Sequence, residues 1–169
     1  MQKTLSPAIM SGPPQILGQA MSQTAQILAS KPILVIDGSN RFRMDHLAKM
    51  AKIMGLKPHQ VLGNIFLSRA FTCHQMTELI CHRTYTQLKE KHSHHLVLVG
   101  LLDTFYDENI PFAEAKRLLK QTIMSIKRIS SIAKITIVQP QWHEIAGPRK
   151  EFLNILNGQN FTVSQLANQ

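Results

Sequence analysis

The residues able to do chemistry fall into a few groups. Carboxylates come first. Asp37 ends an apolar run, and Asp103, Asp107 and Glu108 follow another. Carboxylates gathered at strand ends can hold Mg²⁺ or Mn²⁺ for phosphodiester cleavage. Asp37 serves equally as a helix or turn cap. Sulfur and imidazole come second. Cys73-His74 and Cys81-His82 are two soft pairs, followed by His92, His94 and His95. Structural zinc sites bring close C-x-x-C pairs, and none occurs here. The two cysteines therefore read as reduced thiols on a helix, and no metal is expected. Positive charge comes third. Lys116, Lys120 and Lys127, with Arg117 and Arg128 beside them, share one side of a helical pattern and could track phosphates. Trp142 stands between Gln141 and His143, with Arg149 and Lys150 just beyond. An indole there stacks on a base or packs into the core.

Alternating strands and helices must position these groups. Ile33–Ile36, Ile65–Leu67, Leu96–Val99 and Ile135–Val138 are short apolar runs, many of them β-branched. Such runs suit parallel strands buried on both faces. Between them, Leu17–Ala29, Met44–Met54, His74–Lys89 and Phe112–Ile129 show helical spacing of apolar residues, and Pro58 opens a short helix to Leu62. Gly55 reads as a C-cap. In the last helix Ala115, Leu119, Thr122, Ile126 and Ile129 form the buried stripe. The pattern predicts an α/β fold with a mostly parallel sheet flanked by helices. The tail changes character: Phe152–Leu156 and Phe161–Val163 flank Asn157-Gly158, which predicts a C-terminal β-hairpin. Residues 1–15, rich in Ser, Pro, Gln and Gly, read as a loose arm with a short strand at Pro7–Met10.

The 169 residues suit a single domain, spanning 1–169, with a sizeable core. Nineteen Lys and Arg against ten Asp and Glu leave a net charge of +9. That excess favours DNA or another polyanion as partner. No apolar run reaches the ~18 residues of a membrane span. The first eleven residues carry no signal-peptide block, so no membrane role and a cytoplasmic location are expected.

From Ile33 to Ile80 the chain resembles the RecA/RadA recombinase family, especially its archaeal and eukaryotic branch. The shared elements are Ile36-Asp37, Phe42-Arg43, Gly55-Leu56, Val61-Leu62-Gly63-Asn64, Arg69-Ala70-Phe71 and His74-Gln75, in order and in spacing. Leu96–Gln139 continues the likeness with a strand, Tyr106, a long helix and a strand. The resemblance implies a RecA-like core without the extra N-terminal domain of longer members.

It also implies where ATP hydrolysis would be organised, and there this sequence departs. The family's loop G-x-x-x-x-G-K-[ST] cradles phosphates. Here the stretch reads Gly12 to Ala20: Gly12 and Gly18 are one residue too far apart, Pro13 and Pro14 lack N–H groups, and Gln19 and Ala20 replace the Lys and Ser/Thr. The Mg²⁺-binding Asp falls at Gly100 and the water-activating Glu at Ser39. A degenerate nucleotide site, no cofactor and no ATPase activity are expected. The family's two DNA-binding loops would be Asp107–Pro111 and Pro140–Lys150. The first is short and acidic; the second is short but carries Arg149 and Lys150. The expected role is non-catalytic, in DNA recombination or repair, through DNA, a RecA/RadA-like partner or self-association. Two rivals stand beside it. Val35–Asn40 also resembles the first strand of PIN/NYN-type nucleases, with Asp37 as metal ligand and Asp103, Asp107 and Glu108 as further ligands. The other rival is a structural oligomerisation module.

Overall fold

The computed structural model describes residues 5–163. The elements run β1 (Ala8–Gly12), α1 (Ile16–Leu28), β2 (Ile33–Asp37), α2 (Met44–Ile53), α3 (Pro58–Gly63) and β3 (Ile65–Arg69). They continue with α4 (Cys73–Glu78), a π segment (Leu79–Arg83), α5 (Thr84–Glu90) and β4 (His95–Val99). A 3₁₀ turn (Leu101–Phe105), α6 (Phe112–Ile129), β5 (Lys134–Pro140), a second 3₁₀ turn (Gly147–Lys150), α7 (Glu151–Asn157) and β6 (Thr162–Val163) complete the order. One sheet of six strands has the order β3-β2-β4-β5-β1-β6, with every pairing parallel. The four strands expected from the apolar runs are adjacent, β3-β2-β4-β5.

Because side chains alternate along a strand, the sheet faces two cores. Ile33, Val35, Val97 and Val99 pack with α1, α2 and α3. Leu34, Ile36, Leu96, Leu98, Ile135 and Ile137 pack with α4, α6 and α7. Connections moving one way along the sheet cross one face, and those moving back cross the other, as right-handed crossovers require. Neighbouring strands therefore send their crossovers to opposite faces at β3–β2, β2–β4 and β5–β1, and only between β2 and β4 do the crossovers also run apart along the sheet. In open parallel sheets such crevices, at the carboxyl ends of the strands, are where ligands bind.

Three expectations need correction. The short strand expected at Pro7–Met10 forms, as Ala8–Gly12, but it is not part of a loose arm. It is an interior strand, hydrogen-bonded to β5 on one side and β6 on the other, with Ile9 and Met10 buried on opposite faces. Residues 1–4 of that arm lie outside the described residues. The C-terminal hairpin is absent among the described residues. Glu151–Asn157 is a helix whose Phe152 and Leu156, four apart, are both buried. Asn157-Gly158 ends that helix, Gly158 N donating to Asn154 O at 2.9 Å. Gly158 has φ −73°, whereas the tight hairpin turn needs positive φ. The following strand pairs parallel with β1 rather than folding back. Finally, His74–Lys89 is not one regular helix. The π segment interrupts it, and the Thr84 hydroxyl donates to the Leu79 carbonyl at 2.8 Å.

Phe152 joins the tail to the sheet. Its ring stacks on Phe112 at 5.4 Å and on Tyr106 at 6.4 Å, and meets Phe105 edge-on at 6.5 Å. Phe152→Ala is expected to lower unfolding free energy by about 3–5 kcal/mol, read from urea denaturation.

Candidate functional site

The carboxyl ends of the strands are in register, Asp37 opposite both Arg69 and Val99, Val99 opposite Val138, and Gly12 opposite Pro140. Asp37 is fully buried. Its Oδ1 accepts from Ser39 N at 2.9 Å and from Ser39 Oγ at 2.7 Å. Its Oδ2 accepts from Phe42 N at 3.0 Å and lies 3.7 Å from Arg69 Nε. Arg69 also donates to the Phe42 carbonyl at 3.0 Å. The turn includes Asn40 at φ 54°, a conformation Asn tolerates better than most residues. Asp37 is thus a turn cap whose oxygens are filled by the protein. The separated elements Ile36-Asp37, Phe42-Arg43 and Arg69-Ala70-Phe71 meet around this one carboxylate.

The β2–β4 crevice beside it is closed. Gly38 N donates to Val99 O at 2.8 Å. Gly100 adopts φ +60°, and a Cβ added there would lie 2.6 Å from Ser39 Cβ and 2.9 Å from Ser39 N. The two positions where the family resemblance places a metal-binding Asp and a water-activating Glu are therefore in contact. Neither offers a carboxylate, and Gly100 has no room for one.

A cleft of about 200 Å³ lies beyond the ends of β4 and β5, between the first 3₁₀ turn, the chain leaving β5, and α7. Gln139 and Asp103 form part of its lining. Leu102 N donates to Gln139 Oε1 at 2.8 Å, Gln139 Nε2 donates to Asp103 Oδ1 at 2.7 Å, and Trp142 Nε1 donates to Asp103 Oδ2 at 3.2 Å. Burial raises the Asp103 carboxyl above its usual range, and Asp37 adds to this, while the bonds from Gln139 and Trp142 act in the opposite direction. Burial, with Asp103 nearby, pushes the Tyr106 phenol up to about 12. Trp142 is half-buried and packs on the α1–α3 side. The Arg41 guanidinium covers its ring at 4.2 Å.

The Gly12–Ala20 stretch does connect a strand to a helix. Its turn is tight, however: Ile16 N, Leu17 N and Gly18 N donate to Pro13, Pro14 and Gln15 carbonyls at 3.1, 3.2 and 3.1 Å. Those donors, which an anion would need, are already engaged. Gln19 is exposed on α1, and Ala20 is buried in the core.

A family model described as Rad51 matches residues 17–143, the stretch that carries the β2–β4 crevice and α6. The chain belongs to the Rad51 family. The match begins after the Gly12 turn and ends just past Trp142.

The Rad51-family core disperses the basic residues that the sequence grouped together. Lys120 and Lys127 are exposed on α6. Lys116 is instead tied to Glu151 and lies near the Phe112 ring. Arg117 donates to Gln121 at 3.2 Å, and Arg128 donates to the Cys81 carbonyl at 3.2 Å. Lys150 is exposed at the cleft. Arg149, expected at a nucleic-acid surface, is buried. It donates to Phe105 O at 2.8 Å and also to Ile110 O. It pins the second 3₁₀ turn to the first, because a buried guanidinium needs acceptors and carbonyls supply them.

The other candidates do not converge. Asp107 Oδ1 accepts from Asn109 N and Nδ2, both at 2.9 Å. Glu108 is exposed. Cys73 is buried, and burial raises its thiol. His74 pairs with Glu114 at 2.7 Å across α4 and α6. Among the described residues no group of three His, Cys, Asp or Glu side chains is placed to hold a metal ion. Nor is any described helix long and apolar enough to cross a membrane. Gln139 and Arg41 were missed by sequence reasoning. Gln139 carried a faint signal, a polar residue ending an apolar strand; Arg41 carried none.

Gly100→Asp tests the closed crevice. The left-handed backbone and the Ser39 contact should destabilise the fold by about 2 kcal/mol or more. Thermal melting should show this loss, with no recovery on adding Mg²⁺.

Proposed function

We propose that this chain is a non-catalytic member of the Rad51 family that acts in DNA recombination or repair by binding DNA. One observation carries the non-catalytic half. The positions where an acid and a metal-binding carboxylate would organise ATP hydrolysis hold Ser39 and Gly100, packed against each other. The engaged N–H groups of the Gly12 turn support the same reading. A Mg²⁺-nucleotide does not fit these residues: nothing at the turn cradles its phosphates, and the carboxylate beside Gly100, that of Asp103, already accepts from Gln139 and Trp142. A nuclease role gains nothing from the geometry, since the oxygens of Asp37 are filled by its own turn.

DNA binding rests on the net charge of +9 and on the exposed flank of α6. Lys120 and Lys127 project from that flank, with Arg117 and Arg128 beside them. A second reading, a RecA-like partner or a second copy of this chain, is favoured by a different feature. β3 ends the sheet, so one of its hydrogen-bonding edges has no strand neighbour among the described residues.

Two outcomes test the proposal. The protein should neither hydrolyse ATP nor bind it; micromolar, Mg²⁺-dependent ATP affinity in calorimetric titration would overturn this. Lys120→Glu with Lys127→Glu should weaken DNA binding while leaving the melting temperature near that of the parent. Each lost phosphate contact should lower the salt slope by roughly 0.7–0.9. The comparison is Lys49→Glu, Lys52→Glu and Lys57→Glu around α2. Equal weakening by both sets would mean that only net charge matters. No weakening by either would move the partner reading to first place.

A further inference from the structure

Four arginines stand near the carboxyl edge of the sheet, and three are committed. Arg43 forks onto Asp45 at 2.9 and 3.0 Å. Arg69 lies between the Phe42 carbonyl and Asp37. Arg149 is buried against two carbonyls. Arg41 differs. It is exposed, and among the described residues no carboxylate lies within ion-pair distance of it. Its guanidinium rests over the Trp142 ring at 4.2 Å. Attraction to the ring face engages the charge of the group and leaves N–H donors for another acceptor. A flat, fixed fork of donors matches the oxygens of a phosphate.

Both ends of this arginine are held. Its backbone N–H donates to Ser39 Oγ at 3.2 Å, and Ser39 Oγ donates in turn to Asp37. Its platform, Trp142, is oriented by a relay of fixed polarity. Leu102 N–H must donate to Gln139 Oε1, so Gln139 Nε2 must face Asp103. An indole N–H can only donate, so Asp103 Oδ2 must accept from Trp142. The cleft beside the indole adds His143 and Lys150, with Glu144 the opposing charge.

We infer that Arg41, held over the Trp142 ring, is a phosphate-binding residue at the mouth of the cleft, and that its ligand is a phosphodiester of a nucleic-acid strand. This rests on the DNA reading above. Asp103 is then a positioning residue. It is an anion that strengthens the binding of another anion, because it fixes the indole on which Arg41 lies.

The experiment uses labelled single-stranded and duplex oligonucleotides, with inorganic tripolyphosphate as a separate ligand. Trp142 is the chain's one tryptophan, so its emission reports on the platform directly. Arg41→Ala should weaken oligonucleotide binding roughly tenfold, the loss of one charged hydrogen bond. It should also remove the emission change seen when ligand is added. Arg41→Lys keeps the charge but not the flat fork, and it should also weaken binding; wild-type affinity for this variant would overturn the inference. Asp103→Asn gives opposite signs. Removing a negative charge favours a polyanion, whereas an amide leaves one oxygen for the two N–H donors of Gln139 and Trp142 and so loosens the indole. Weaker binding with red-shifted emission supports the positioning role, and tighter binding overturns it. Trp142→Phe keeps a ring without the N–H and should bind better than Trp142→Ala. It keeps the test open should Asp103→Asn fold poorly. If DNA binds and Arg41→Ala leaves it unchanged, the Arg41 site is wrong while the DNA reading survives. If only tripolyphosphate binds, in an Arg41-dependent way, the phosphate site stands while the phosphodiester assignment and the DNA reading fall.

Discussion

A carboxylate buried completely in a protein must have its oxygens met, by a cation, by a metal or by N–H groups. Asp37 is such a group, and it sits where β2 leaves the sheet. Two backbone N–H groups, a hydroxyl and a guanidinium surround it. Satisfying it draws Ser39 back over Gly100, buries Phe42 and aims Arg41 across the crevice towards Trp142. The shape of the carboxyl edge follows from this one desolvated charge. Removing it would leave Phe42 N unanswered in the interior, at a cost of about 1–3 kcal/mol.

The same turn sets what fills the crevice beside it. The six parallel strands still align their carboxyl ends, and the crossovers still diverge between β2 and β4. Between those strands the space is filled by Ser39 and by backbone. At the ends of β4 and β5, Gln139 and Asp103 are used on each other and on Trp142. Polar groups that might face a ligand thus face the protein. The exceptions lie on the rim, where Arg41 and Lys150 keep donors directed at solvent.

The fold was legible wherever one residue pattern had one structural meaning. Ile33–Ile36 and Leu96–Val99 are apolar throughout because both faces of a parallel strand are covered, and few other settings produce such runs. Asn157-Gly158 has two meanings, the centre of a hairpin or the end of a helix. The four-residue spacing of Phe152 and Leu156 favoured the second. The site was less legible, because charge in a sequence has no address. Arg149 and Lys150 are neighbours, yet one is buried on carbonyls and the other is exposed. Arg41 gains its setting from an indole far along the chain, a contact no local pattern encodes.

The place of β1 in the sheet has a consequence for synthesis. Its neighbours are β5 and β6, at residues 134–140 and 162–163. A strand made among the first residues therefore waits for both partners until the last part of the described chain has emerged. Until then Ile9 and Met10, buried on opposite faces in the finished fold, have no sheet to join. β2, β3 and β4 can pair among themselves much earlier, since each follows the last by a single crossover. Such distant closure slows folding and leaves an apolar, unpaired strand open to wrong partners. On the ribosome β1 would wait unpaired, sheltered by a chaperone or exposed to its neighbours, until the sheet closes around it.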